Sequence, residues 1–170
     1  MNKYTLTLMY LAAIVLANLS VAHFGPASTV VNAFVFIALN LVTRDKLHDI
    51  WGKNVARNMG LLILAGGAVS YALNAGAGRI ALASVVAFLI SESMDALVYS
   101  LMHKHPFLAR SNGSNVAGAA FDSVLFPVLA FGGFPVFIIL GQFAAKVLGG
   151  FIWSLILAKR APVREALGTD

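Results

Sequence analysis

Long unbroken apolar blocks dominate this chain, and they leave few folds open to it. The first runs from about Thr5 to Ala22 and stops at His23, Gly25 and Pro26. A second runs from about Ser28 to Val42, a third from about Met59 to Ala75, and a fourth from about Ile80 to Met102. Residues 116–157 form one apolar run too long for a single crossing, and Gly132-Gly133-Phe134-Pro135 divides it in two. A helix needs about 20 apolar residues to span the hydrocarbon layer, and blocks of this length read as transmembrane helices. Only 11% of the residues are charged against 59% hydrophobic, whereas a soluble domain carries roughly 25% charged residues. Too little polar surface remains to keep such a chain in water.

The expected fold is therefore an all-α integral membrane bundle of six transmembrane helices. It occupies residues 1–158 and is followed by a polar tail, residues 159–170. The N-terminal apolar run is longer than a usual signal core and shows no obvious small-residue cleavage site. The polar stretches are expected to be loops. They are residues 44–58, residues 103–115 and the short Gly-containing turns.

The basic residues sort by side. Lys3, Arg44, Lys46, Lys53, Arg57, Lys104, Arg110, Lys159, Arg160 and Arg164 fall on one face if the chain crosses six times. Arg79 falls on the other, and Lys146 lies inside the sixth helix. The positive-inside rule then puts both termini in the cytoplasm. The net charge of +5 is thereby read as topogenic, and no nucleic-acid partner is expected; no basic face with interleaved aromatics appears. The absence of cysteine excludes disulfides and thiolate metal sites.

Four charged residues sit where hydrocarbon is expected: Glu92 and Asp95 in helix four, Asp122 in helix five, Lys146 in helix six. Each costs roughly 2.5–3.5 kcal/mol at a helix centre. At about 1.5 Å per residue all four lie roughly 10–20 Å from the cytoplasmic surface, so they can share one layer. Glu92 and Asp95, three apart, point from one helix face together with Ser84, Ser91 and Tyr99. One lysine can neutralise only one of three acids, and an unpartnered intramembrane carboxylate is a candidate site. Lys146 itself is read either as a purely structural ion-pair partner or as a substrate contact. Asn18, Asn32, Asn40, Asn74, Gln142 and Trp153 lie in or beside apolar helices, where each is as apt to join helices by a hydrogen bond as to meet a ligand. Glycines 66, 67, 141, 149 and 150 are read as points of close helix approach. Asp95-Ala-Leu-Val-Tyr-Ser and Asp122-Ser-Val-Leu-Phe-Pro form a short internal echo, of the kind transporters built from repeats contain. No metal site is expected, since His103 and His105 lack the spacing of a helical metal pair. No cofactor is expected, and no nucleophile–base set indicates an enzyme.

Several ordered segments carry a resemblance. They are Leu16-Ala17-Asn18-Leu19, Asp45-x-x-x-Asp49-x-Trp51-Gly52-x-x-x-Ala56-Arg57, and Ile80-Ala81-x-Ala83-Ser84-x-x-Ala87-Phe88-Leu89-Ile90-Ser91-Glu92-x-x-Asp95. Arg110-Ser111-Asn112-x-Ser114, Asp122-Ser123-x-Leu125-Phe126 and Phe131-Gly132-Gly133 follow. In this order they resemble the queuosine-precursor transporter family, also known as vitamin uptake transporters. The resemblance implies inward transport of 7-cyano-7-deazaguanine or a related 7-deazapurine across the plasma membrane. A carboxylate can accept the N1–H and exocyclic amine of such a ring side by side. Asp122 and Asp95 are then the first candidates for substrate binding and Glu92 the next. Asn18, Gln142, Trp153 and Lys146 complete the candidate set. The chain departs from the family in having Asp49-Ile50-Trp51-Gly52 in place of Glu-x-Tyr-Gly, Glu92 where Gln is common, and a shorter length. An altered substrate within the purine-like class is compatible with that. Two other readings stand beside the carrier: a substrate-binding subunit of a larger importer with a separate ATPase, and a non-transporting structural protein. The chain has no phosphate-binding loop of its own. The expected partners are a small deazapurine and the lipid bilayer, and a homodimer is compatible with the sequence.

Overall fold

A computed structural model describes residues 2–158 of the chain. The polar tail with Lys159, Arg160 and Arg164 lies outside the described residues. All regular structure among those residues is helical. Helix α1 spans Lys3–Phe24; Asn2 caps it, its side chain accepting from the Thr5 N–H at 2.8 Å. Gly25, at φ 72°, ends it. Helix α2 begins at Thr29–Asn32, widens into a π-helical turn at Ala33–Ile37, and continues as Ala38–Trp51. Helices α3 (Val55–Leu73), α4 (Gly78–Leu101), α5 (Phe107–Phe131) and α6 (Val136–Ala158) follow.

Side-chain contacts give the direction of each helix. On α1 and α2, Ala17 meets Asn32 while Tyr10 and Arg44 meet the same Glu92, so these helices are antiparallel. On α1 and α3, Ile14 packs on Gly66 and Asn18 bonds Ser70, so these run together. The chain therefore reverses at Gly52–Asn54, where Gly52 takes φ 49°. Val85 meets Gly67, Asp95 meets Gly118, and Lys146 meets Asp122, so direction alternates through to α6. The start of α1, the turns at 52–54 and 102–106, and the end of α6 thus gather at one end of the bundle, here the terminal end. The turns at 25–28, 74–77 and 132–135 form the far end.

Five stretches are long and apolar enough to cross a membrane: Lys3–Phe24, Pro26–Leu73, Ala75–Leu101, Phe107–Phe131 and Val136–Leu157. The second has 48 residues and contains the reversal at Gly52. The outer surface is apolar, with Leu8, Leu61, Leu82, Leu101, Leu148 and Phe137 exposed, while Arg44, Asp45, Asp95 and Lys146 are buried. Charge inside and oil outside is the arrangement expected of a multi-pass membrane protein. Gly149 lets two backbones meet: a Cβ there would stand 2.6 Å from the Phe34 carbonyl oxygen in the π turn, so α6 and α2 touch backbone to backbone.

Two expected loops prove to be helix. Residues 44–51 extend α2, and α5 already begins at Phe107. The reason is shared. Arg44, Asp45, Ser111, Ser114 and Asn115 are polar but face the interior, where they are almost wholly buried. A polar residue with partners inside a bundle does not end a helix.

Candidate functional site

Buried charge falls into two groups. The first is centred on Lys146, whose ammonium has three donors and places all of them. It lies 2.7 Å from Asp122 Oδ2 and donates to Ser123 Oγ and to Gln142 Oε1, each at 3.0 Å. Asp122 and Ser123 come from α5, and Gln142 and Lys146 stand one turn apart on α6. Gln142 spends its carbonyl on the lysine, and its amide nitrogen, also buried, has no hydrogen-bond partner among the described residues.

Beside this pair is a narrow cavity lined on different helices by Asn18, Asn32, Ser84, Phe88, Asp122, Phe126 and Gln142. It lies between mid-depth and the far end. Two helical irregularities border it. The π turn of α2 lies between Asn32 and Ile37, both lining residues. Pro127, inside α5, has no N–H to return to the Ser123 carbonyl one turn earlier. Such departures in membrane helices are tolerated where the backbone lines a cavity or is buried in protein. Asn18 donates to Ser70 Oγ at 3.1 Å, and Asn32 makes only long contacts of 3.4 Å to Ala17 O and Ser28 Oγ.

The second group lies in the terminal half. Arg44 of α2 pairs through Nη1 with Glu92 Oε2 at 3.1 Å. Its Nη2 meets Asp45 Oδ1 at 3.0 Å and Asp95 Oδ2 in a still closer contact. Tyr10 of α1 donates its hydroxyl to Glu92 Oε1 at 3.0 Å. Nearer the terminal end, Asp49 Oδ2 accepts from Tyr99 at 2.9 Å and from Arg110 at 3.1 Å. These contacts tie α1, α2, α4 and α5 together below the cavity.

The structure divides the residues singled out in the sequence. Asp122, Asn18 and Gln142 line the cavity, and Lys146 is paired with Asp122 at its edge. Glu92 and Asp95 do not share a cluster with Asp122 and Lys146, because their face of α4 turns to Arg44. The expectation that two of three acids lack a partner is corrected: Arg44, read as a topogenic loop residue, is 2% exposed and pairs with both. The echo between Asp95 and Asp122 does not give them one shared role, since each has its own cation. Trp153 packs beside Val42, Phe107 and Leu157, away from the cavity.

The sequence reading missed Arg44, Asp45, Tyr10 and Ser123. One signal for Arg44 and Asp45 was present. The second apolar block, Ser28 to Val42, is too short for a bilayer at about 1.5 Å per residue, whereas a continuous helix to Trp51 reaches across.

Residues 63–159 match the model of the family described as putative vitamin uptake transporter. No curated protein and no solved structure matched. The matched segment covers more than half of the chain and carries Ser84, Phe88, Glu92, Asp95, Asp122, Gln142 and Lys146. This membrane bundle, with its cavity set against a buried ion pair, belongs to the putative vitamin uptake transporter family.

Proposed function

We propose that the chain is a carrier that imports 7-cyano-7-deazaguanine or a related 7-deazapurine across the plasma membrane, and that the cavity beside Asp122 receives the substrate. The observation that carries this reading is the pairing of an acceptor with an unspent donor in one cavity. Lys146 occupies Oδ2 of Asp122, but an ionised carboxylate offers about four lone-pair sites, enough to accept the N1–H and amine of a guanine-type edge. Gln142, its carbonyl held by Lys146, keeps an amide donor for the adjacent ring carbonyl. Phe88 and Phe126 offer faces for a flat ring. The cavity is narrow, and seating a bicyclic heterocycle requires the lining helices to part at the π turn of α2 and at Pro127. In this reading Asn18 completes the hydrogen bonding, and Lys146 holds and aims the Asp122 carboxylate. Glu92 and Asp95 act from below the site through the Arg44 group.

The alternating helices support six crossings, and the distribution of Lys and Arg supports termini in the cytoplasm. The cavity then belongs to the outer half and the Arg44 group closes the inner half. Purified protein in liposomes should take up 7-cyano-7-deazaguanine, and Asp122→Asn should abolish that uptake while leaving membrane insertion intact. Normal uptake by the variant removes Asp122 from the site. Binding without uptake by the wild type makes the chain a binding subunit instead.

A further inference from the structure

The Arg44 group is not balanced. Three carboxylates, Asp45, Glu92 and Asp95, surround one guanidinium. If all were ionised, the group would hold three negative charges against one positive in a region where Asp45 and Asp95 are 0% exposed. The imbalance is concentrated at one atom. Asp45 and Asp95 both converge on Nη2 of Arg44, one from α2 and one from α4. Their other oxygens, Asp45 Oδ2 and Asp95 Oδ1, are buried with no well-formed hydrogen bond, and the nearby donors are the neutral hydroxyls of Ser111 and Ser114. Asp95 Oδ1 faces Gly118 of α5, where an added Cβ would stand 3.2 Å away. Two carboxylates crowded at one site in a low dielectric do not both ionise; the pair retains a proton.

Among the described residues, the other polar and charged groups around the pair have partners of their own: Lys46, beside Asp45 on α2, lies over the Phe107 ring at 4.6 Å. Tyr10 of α1 is spent on Glu92. On α2, His48 is half-buried with its ring 5.1 Å from Tyr99. Tyr99 of α4 and Arg110 of α5 are committed to Asp49. Ser111 and Ser114 of α5 offer hydroxyls only. Asp122 of α5 and Lys146 of α6 neutralise each other, and α3 brings Met59 and Ile63 to the same core.

We propose that the Asp45–Asp95 pair is a proton-binding site, and that loading and unloading this proton couples the carrier to the proton gradient. The O–H bond forms on one carboxylate oxygen from solvent on one side of the membrane. It breaks to solvent on the other, and no electrons move. The path to the cavity is short along α4: Ser84 and Phe88 line it, and Glu92, one turn beyond Phe88, shares Arg44 with the pair. Losing the proton would leave two charged aspartates repelling across the α2–α4 contact, which favours separating these helices and opening the terminal half. The proton site stands on the pair's own geometry; the coupling rests on the carrier reading above.

Infrared spectroscopy of the full chain in lipid tests the site without any substrate. Wild type at neutral pH should show a protonated-carboxyl stretch that moves when aspartate is labelled with heavy carbon at its carboxyl, and Asp45→Asn or Asp95→Asn should remove it. No labelled band at neutral pH overturns the proposal, as does a proton found on His48 or Glu92 alone. The labelling needs no variant, so a misfolded mutant does not blunt the test. In proteoliposomes, an inward proton gradient should drive accumulation of 7-cyano-7-deazaguanine by up to about tenfold per pH unit for one coupled proton. Asp95→Asn should equilibrate the compound with no dependence on the gradient. Transport by the wild type that ignores the gradient overturns the coupling. A labelled band in a protein that moves no deazapurine instead overturns the substrate reading and leaves the proton site standing.

Discussion

The two buried ionic groups differ in closure. Lys146 and Asp122 form a neutral pair, with every ammonium hydrogen placed and a cavity on one side. Arg44 sits among three acids with an excess of negative charge. Both are drawn from the same bundle, yet one is complete except toward the cavity and the other is incomplete in itself. A buried charge pair is weak evidence of stability, because desolvation offsets most of the attraction. What the contrast teaches is that charge in this bundle is balanced in the group that borders open space and unbalanced in the other, and the ligand and proton proposals rest on that difference.

That contrast can be broken at several points. The largest effect should come from Arg44→Met, which leaves three buried acids without their cation. Breaking a buried network by removing one partner costs about 3–5 kcal/mol, so we expect little folded protein and a collapsed thermal transition in detergent. Next is Lys146→Met, with a cost of similar order from the stranded Asp122. Here the neutral double variant Asp122→Asn with Lys146→Met should recover most of the lost thermal stability, because the pair closes on itself. If the double variant is no more stable than the single one, the two groups are not different in kind. Gln142→Leu takes an acceptor from the buried Lys146 ammonium and a donor from the cavity. It should lower stability by about 1.5–3 kcal/mol, the worth of one hydrogen bond to a charged group, seen as a downward shift of the thermal transition, and should weaken deazapurine uptake by roughly ten- to a hundredfold. The smallest effect belongs to Arg110→Gln. Its partner Asp49 is 45% exposed, and such pairs are worth about 0–1 kcal/mol. A large loss there would move Asp49 and Tyr99 into the network above them.

Much of the architecture was legible because apolar length is a direct readout of bilayer thickness. The break at Gly132-Gly133 and the close approaches at Gly66, Gly67 and Gly149 were legible too, since a missing side chain has few other uses inside packed helices. The errors share one cause. Arg44 and Asp45 look like loop residues when hydropathy is read locally, because the scale treats a charge as a cost wherever it stands. In the fold the other partners of Arg44 come from α4, some fifty residues away, and that distance is invisible in a window. The same blindness merged Asp95 with Asp122: both are acids in apolar helices, and only the facing helix tells which cation each meets. Tyr10 was passed over as one more apolar residue, although its hydroxyl reaches Glu92.

The amino-acid sequence by itself determined that the chain belongs in a membrane, where its helices lie, and that several acids would be buried at a cost, since these follow from composition along a line. Tertiary structure alone decided which charges neutralise which, where space remains beside them, and which group is left over-acidic. Those outcomes depend on how α2, α4, α5 and α6 face one another, and in a low dielectric the facing of a few ångströms governs whether a charge is paired, free for a ligand, or forced to hold a proton.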